Sequence, residues 1–363
     1  MKRTFTALSL SALVLIAASC SKDSDNGGDT IPVYTVPTTY NFSNVDFSAS
    51  TTRLGMATEM SNLMKNAISG PVDGAKLKAM FSNTGAPFAT AAYNTSGIQI
   101  KDQTAALFQT DVLSFIDSLV KVSQSTQPAS RGVAGVGKNA ANTPVYALTG
   151  SGINYAQVFN KTIMGGLITY QIVSNYMDGG ISSSVNNTTV VTGSGTAMEH
   201  NWDLAFGYWS VPIDFPTNKT GVKFWGSYST QVDAGYPANK TLMDAFLKGR
   251  AAISNKDDKT KLAQATIILE AFEKLTAAAA LQEVKEVKES INDNIVRNSR
   301  LSECYGFVYS LKYNPKKKIT DAKINEILAL FPKNFYDLTP VQLDAIRDAV
   351  AAQYGFESVK DIL

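Results

Sequence analysis

Apolar side chains return every three or four positions along most of this chain, a period that suits helices and little else. Through Arg53–Ser69 it places Leu54, Met56, Met60, Leu63, Met64, Ala67 and Ile68 mostly on one side, and Gly70-Pro71 stops it. Asp73 stands where it can cap a short helix through Met80 and Phe81. The pattern resumes over Thr104–Val122 and over Asn154–Met177, where Gly165-Gly166 offers either a close approach for another helix or a kink. Thr196–Phe206 predicts a further helix. The C-terminal third predicts five more, over Asn239–Ser254, Asp257–Asn292, Arg300–Tyr313, Thr320–Phe331 and Thr339–Tyr354. Asp321 and Thr339-Pro340 supply start signals for the last two. Residues 207–238, rich in Pro, Gly and aromatics, read as a long ordered excursion, and Ile31–Asn44 as an extended arm. Nothing supports an extensive sheet. The expected fold is therefore all-α, an antiparallel helical bundle spanning residues 40–363.

The N-terminus has a different character. Lys2 and Arg3 precede an apolar run through Ala18, too short to span a bilayer as a stable helix, which reads as a secretion signal over residues 1–19. Ala17-Ala18-Ser19-Cys20 resembles a bacterial lipobox, with Ala17 in place of the usual Leu, and marks Cys20 for lipidation. Cys20 is followed by the polar run SKDSDNGGDT (21–30), and residues 20–39 read as the anchor and a flexible tether. Lys22-Asp23 resembles the surface-export signals of Bacteroidota lipoproteins, and Asp29-Thr30-Ile31 the O-glycosylation acceptor of that phylum. The expected location is the outer membrane, on its periplasmic or cell-surface face.

Composition narrows the partners. Thirty-three basic side chains face thirty-one acidic ones, and loss of Lys2 and Arg3 with the signal balances the two signs. A neutral chain gives no electrostatic case for nucleic acid or for an anionic membrane surface, so the lipid is the membrane attachment. With Cys20 lipidated, Cys304 stands alone among apolar and aromatic neighbours and reads as a buried, inert thiol. Gly132–Lys138 (GVAGVGK) has P-loop spacing, but Asn139 replaces the magnesium-binding hydroxyl and no strand precedes the glycines. Residues 124–142 read instead as a small-residue loop, with no nucleotide. Ser118 and Lys121 have the spacing of an acylation pair, within a helical pattern that explains both.

The one histidine, His200, lies in TAMEHNWDLAFGYWS, the stretch Thr196–Ser210. On a helix Glu199 and Asp203 share a face, and His200 lies next to Asp203. Imidazole and carboxylate on one turn can hold a divalent metal; equally, a hydrogen-bonded histidine can fix two helices in register. Trp202, Tyr208 and Trp209 would supply an aromatic wall. Glu303, in LSECYGF, sits on a core-facing helix where a lone carboxylate needs a partner. His200, a shared metal, Lys312, Arg300 or a helix terminus are all available. Glu199, His200, Asp203 and Glu303 are thus the candidate ligand or metal-binding residues, with no catalytic residue assigned.

These residues carry a resemblance. Glu199-His200-x-Trp202-Asp203-x-Ala205-Phe206-Gly207-Tyr208, with Leu301-Ser302-Glu303-x-x-Gly306-Phe307, resembles a family of Bacteroidota lipoproteins classed as domain of unknown function 4856. Tyr40-Asn41-Phe42, Arg53-Leu54-x-Met56, Tyr155-x-Gln157 and Met164-Gly165 fit the same pattern, although family members commonly carry Glu where this chain has Leu204. More distantly, His200-x-x-Asp203 is similar to the Gly-x-His-x-x-Glu motif of imelysin, an all-helical group associated with iron uptake. That likeness implies a binding or accessory component of iron or haem uptake beside a TonB-dependent receptor. The alternative is a structural lipoprotein that docks on an outer-membrane receptor through residues 207–238, with no small ligand. With one histidine, no zinc-protease motif and no nucleophile elbow, hydrolysis is not expected.

Overall fold

The structure is a computed structural model that describes residues 33–363. The signal, Cys20, the Lys22-Asp23 pair and the Asp29-Thr30-Ile31 acceptor lie outside the described residues. Among the described residues twelve α-helices and one two-stranded sheet form a mostly helical fold, as the periodicity requires. In chain order the helices are α1 (Ser48–Lys65), α2 (Gly74–Ser82), α3 (Ala91–Asn94), α4 (Ala106–Ser123), α5 (Tyr155–Ile163) and α6 (Ala197–Trp209). They continue with α7 (Phe224–Gln231), α8 (Ala238–Ser254), α9 (Asp258–Glu289), α10 (Asn294–Ser310), α11 (Asp321–Ala329) and α12 (Pro340–Tyr354).

The thirty-two-residue α9 is the axis. Its run Ala277–Ala280 is buried, and small side chains there let α8, α10 and α12 lie close along it. Ser254 and Asp258 stand so close in sequence that α8 must turn back along α9, and Glu289 and Asn294 do the same for α10. Helix starts follow the local chemistry. Asp257 caps α9 through the Thr260 N–H, and Thr339 and Gln342 form a reciprocal capping box at α12.

Three segments depart from the periodic reading. Residues 124–142 are not only a loop: β1 (Gly135–Lys138) pairs antiparallel with β2 (Pro144–Leu148), and the glycine run leads into β1 with no helix after Lys138. Asn154–Met177 stays helical throughout, but after α5 it widens into two π-helical turns, Met164–Thr169 and Gln171–Tyr176. The close approach expected of Gly165-Gly166 is met there. A Cβ on Gly165 would strike Ser310 of α10, and one on Gly166 would strike Phe108 of α4. The 207–238 excursion is ordered, but its first residues complete α6 and its middle forms α7.

Gly249 of α8 makes a contact of the same kind with α6. A Cβ there would enter the six-membered ring of Trp202, whose indole N–H donates to the Phe246 carbonyl at 3.0 Å. Gly249→Ala is expected to destabilise the fold by about 1–3 kcal/mol, because Trp202 must leave its rotamer in a filled core. Urea unfolding followed by tryptophan fluorescence measures it, and an unchanged midpoint would contradict this packing.

Candidate functional site

The His200 stretch forms α6, and its first turn is built by capping. Thr196 Oγ1 accepts from the Glu199 N–H (3.2 Å), while Glu199 Oε2 accepts from the Thr196 N–H (2.8 Å). The T-x-x-E spacing was the available signal for this box. One turn on, Asp203 is fully buried and faces Arg250 of α8, 1 % exposed at its side chain. Arg250 Nε donates to Asp203 Oδ1 (2.8 Å), and Nη1 donates to Glu199 Oε1 (2.7 Å) and to Ser254 Oγ (2.6 Å). The Tyr40 hydroxyl donates to the same Asp203 oxygen at 2.7 Å, and the guanidinium lies over the Phe42 ring. Burial lifts the Asp203 carboxyl to about 6 despite Arg250. Burial also works to raise Glu199, but bonds from Ser254, the Thr196 N–H and Arg250 outweigh it and hold Glu199 below the usual range.

This arrangement does not fit a metal. Both carboxylates sit on a guanidinium, which offers only donors, and among the described residues no three His, Cys, Asp or Glu side chains converge as ligands. His200 is half-buried, and its Nδ1 is buried without a hydrogen-bond partner. The aromatic residues expected as a wall lie in the core. Trp202, Tyr208 and Trp209 are fully buried: Trp209 stacks on Phe246 at 5.8 Å and the Tyr208 hydroxyl accepts from Arg53 at 3.0 Å. Trp225, also buried, donates to Thr169 Oγ1 at 3.0 Å. Tyr208, Trp209 and Trp225 face the core because α6 and α7 are packed helices, so these three cannot form the docking surface expected of residues 207–238.

Glu303 belongs to a second constellation, on α5, α7, α9 and α10. Its partner is Lys161, which the sequence reading missed: Lys161 Nζ lies 2.7 Å from Glu303 Oε2, with both side chains nearly inaccessible. Arg300 stands farther off at 3.6 Å, and Lys312 lies over Tyr309 instead. Lys161 Nζ also donates to the Tyr228 hydroxyl (2.6 Å), which donates to Glu283 Oε1 (2.8 Å). The one available signal was that Lys161 follows Val158 by three positions on the apolar side of α5; in the structure Gly306 of α10 leaves room for its stem.

Burial would depress the Lys161 ammonium, yet the Glu303 carboxylate opposite raises it, so it stays charged. Burial and then the Glu303 charge push Glu283 up to about 8, and its second oxygen has no partner, which suits a protonated carboxyl. Burial raises the Tyr228 phenol far above its ordinary value, so it donates to Glu283 and does not act as a base. Cys304, buried on the same helix as Glu303, is raised likewise.

A carboxyl raised above its ordinary 4.5 stabilises the fold fully below that value and loses the contribution as pH climbs through about 8. Asp203 has the same sense but finishes titrating lower. Stability is therefore expected to fall from about pH 6.5 to 8.5 by up to about 1.4 kcal/mol per unit, and Glu283→Gln to flatten that fall. Thermal melts of both proteins across this window check it, and equal slopes would refute the assignment to Glu283.

Lys161 and Tyr228 line the inner wall of a cleft of ≈ 410 Å³ between α1, α5 and α7. Asn160 and Ser227 stand on its sides, and Lys65 and Lys223 at its rim. The buried charges thus open on a concave surface, whereas the Arg250 cluster is closed by Tyr40 and Phe42.

The family described as Domain of unknown function (DUF4856) matches residues 37–357, and the chain belongs to it. No curated protein and no solved structure matches the chain.

Proposed function

We propose that this member of the DUF4856 family is a lipid-anchored binding protein of the outer membrane, attached through Cys20 on the periplasmic or cell-surface face. In this reading it holds a small ligand in the cleft between α1, α5 and α7 and serves a TonB-dependent receptor as an accessory. The cleft carries the reading. Its volume lies within the range of small-molecule sites. Its inner wall contains a buried, charged Lys161 backed by Glu303, a group that costs several kcal/mol of desolvation and that a mere surface hollow does not require. Iron or haem, the cargo that the imelysin likeness implies, finds no ligand set beside His200 because Arg250 holds both carboxylates. The binding role is therefore assigned to the cleft, and it is a role of retention, not turnover.

The test uses the untagged chain from residue 21, incubated with a small-molecule extract of the producing cells supplemented with ferrous iron, ferric iron and haem. Mass spectrometry then identifies what is retained. Retention is expected in wild type and in His200→Ala, and its loss in Ser227→Trp, which fills the cleft. A wild-type protein that retains nothing ends the binding reading, and loss in His200→Ala alone would move the site to α6. For the anchor, labelled palmitate is expected in the full chain and absent from Cys20→Ser, which should leave the membrane fraction.

A further inference from the structure

The lining of the cleft is cationic. Lys65, Lys161 and Lys223 contribute to it, and no Asp or Glu does. Lys161 is occupied by Glu303, whereas Lys65 and Lys223 are exposed and form no ion pair among the described residues. Two uncompensated ammonium groups around a concave polar surface concentrate a positive potential there. Helix α7 adds to it. Its N-cap, Lys223, makes no side-chain cap, and its first residue, Phe224, lines the cleft, so the positive end of the helix lies on the same wall.

The other polar groups have a different character. The hydroxyls of Thr58 and Ser227 and the amides of Asn62, Asn160 and Gln231 both donate and accept. Such a mixture suits a ligand whose own groups do both, as hydroxyls do. The Phe224 ring offers one apolar face.

We propose that the cleft takes a small hydroxyl-rich anion, a polyol bearing one carboxylate or phosphate. This inference rests on the cleft being the ligand site. The oxyanion lies toward Lys65, Lys223 and the start of α7, and the hydroxyls lie along Thr58, Asn160 and Ser227. Lys161 is the fixed donor of the inner wall. With Glu303 beside it and Glu283 protonated, the buried group adds no strong charge of its own, and selectivity for an anion comes from the rim.

Calorimetry on the untagged chain from residue 21 tests this at low ionic strength with three probes: glucose, glucuronate and the phosphate monoester of glucose. At least one charged sugar is expected to bind roughly tenfold more tightly than glucose, with the advantage lost at about 0.5 M salt. The tighter of the two identifies carboxylate or phosphate as the natural group. The double variant Lys65→Ala/Lys223→Ala changes only exposed side chains and is expected to bind all three sugars alike. Glucose binding as tightly as its charged derivatives would overturn the anion inference and leave the binding role intact. So would a preference that persists in the double variant. If none of the three binds, the inference fails, and the retention experiment with Ser227→Trp decides the binding role separately.

Discussion

Arg250→Met is expected to destabilise the protein by about 3–5 kcal/mol, the cost of leaving buried charge unpaired. The guanidinium satisfies Asp203, which is fully buried, together with Glu199 and Ser254, and methionine satisfies none of them. Asp203 then keeps only the Tyr40 hydroxyl. In a chain of this size the loss corresponds to a fall in melting temperature of about 4–7 °C. Pairing the change with Asp203→Asn is expected to recover part of it, because a neutral amide tolerates burial where a carboxylate does not. Thermal and urea unfolding of the single and double variants give the coupling energy directly. Additive effects would mean that the two side chains do not act as a pair.

Lys161→Met is expected to cost a similar amount, about 3–5 kcal/mol, for the same reason at the other constellation. Glu303 would face Arg300 at 3.6 Å and the raised carboxyl of Glu283, and Tyr228 would lose its donor. Here the double variant discriminates more sharply. Lys161→Met/Glu303→Leu replaces both charges by apolar groups of similar length, and buried pairs replaced in this way commonly lose little or even gain stability. Near-complete recovery of the melting temperature, with ligand retention still absent, would show that the pair is kept for the cleft and not for the fold. Failure to recover would assign Lys161 a packing role that the apolar pair does not reproduce.

Much of the architecture was legible because amphipathic helices announce themselves. The spans of α1, α4, α8 and α9 fall within a few residues of the periodic reading, since each must bury one side against a neighbour. The β hairpin was not legible. Gly135 and Gly137 leave β1 without the alternating side chains that reveal a strand, and its partner is supplied across a turn that begins at Asn139. The widening after α5 was half legible: Gly165-Gly166 marks an irregularity without saying which kind.

At the candidate site, the grouping of Glu199 with Asp203 followed from helical spacing, and the structure keeps it. What they hold did not follow. Arg250 lies 47 positions from Asp203, in a helix whose sequence gives no sign that a charged residue faces inward. The same limit separated Glu303 from Lys161. Sequence spacing identifies neighbours on one helix, and the partners of buried charges come from other helices.

The contacts of the N-terminal arm also fix where force would enter the domain. Upstream tension on the described chain reaches the Tyr34 hydroxyl first, on Asp257 at 2.9 Å and only partly buried. It next reaches Tyr40, whose N–H donates to the Ile213 carbonyl at 2.7 Å and whose hydroxyl is locked to Asp203. The outer contact can yield and re-form while the inner one holds, so Tyr34 behaves as a sacrificial link and Tyr40 as the rivet. A pull on this end would spend its work at the arm before it disturbed α5 or α7, and the cleft would keep its shape under load.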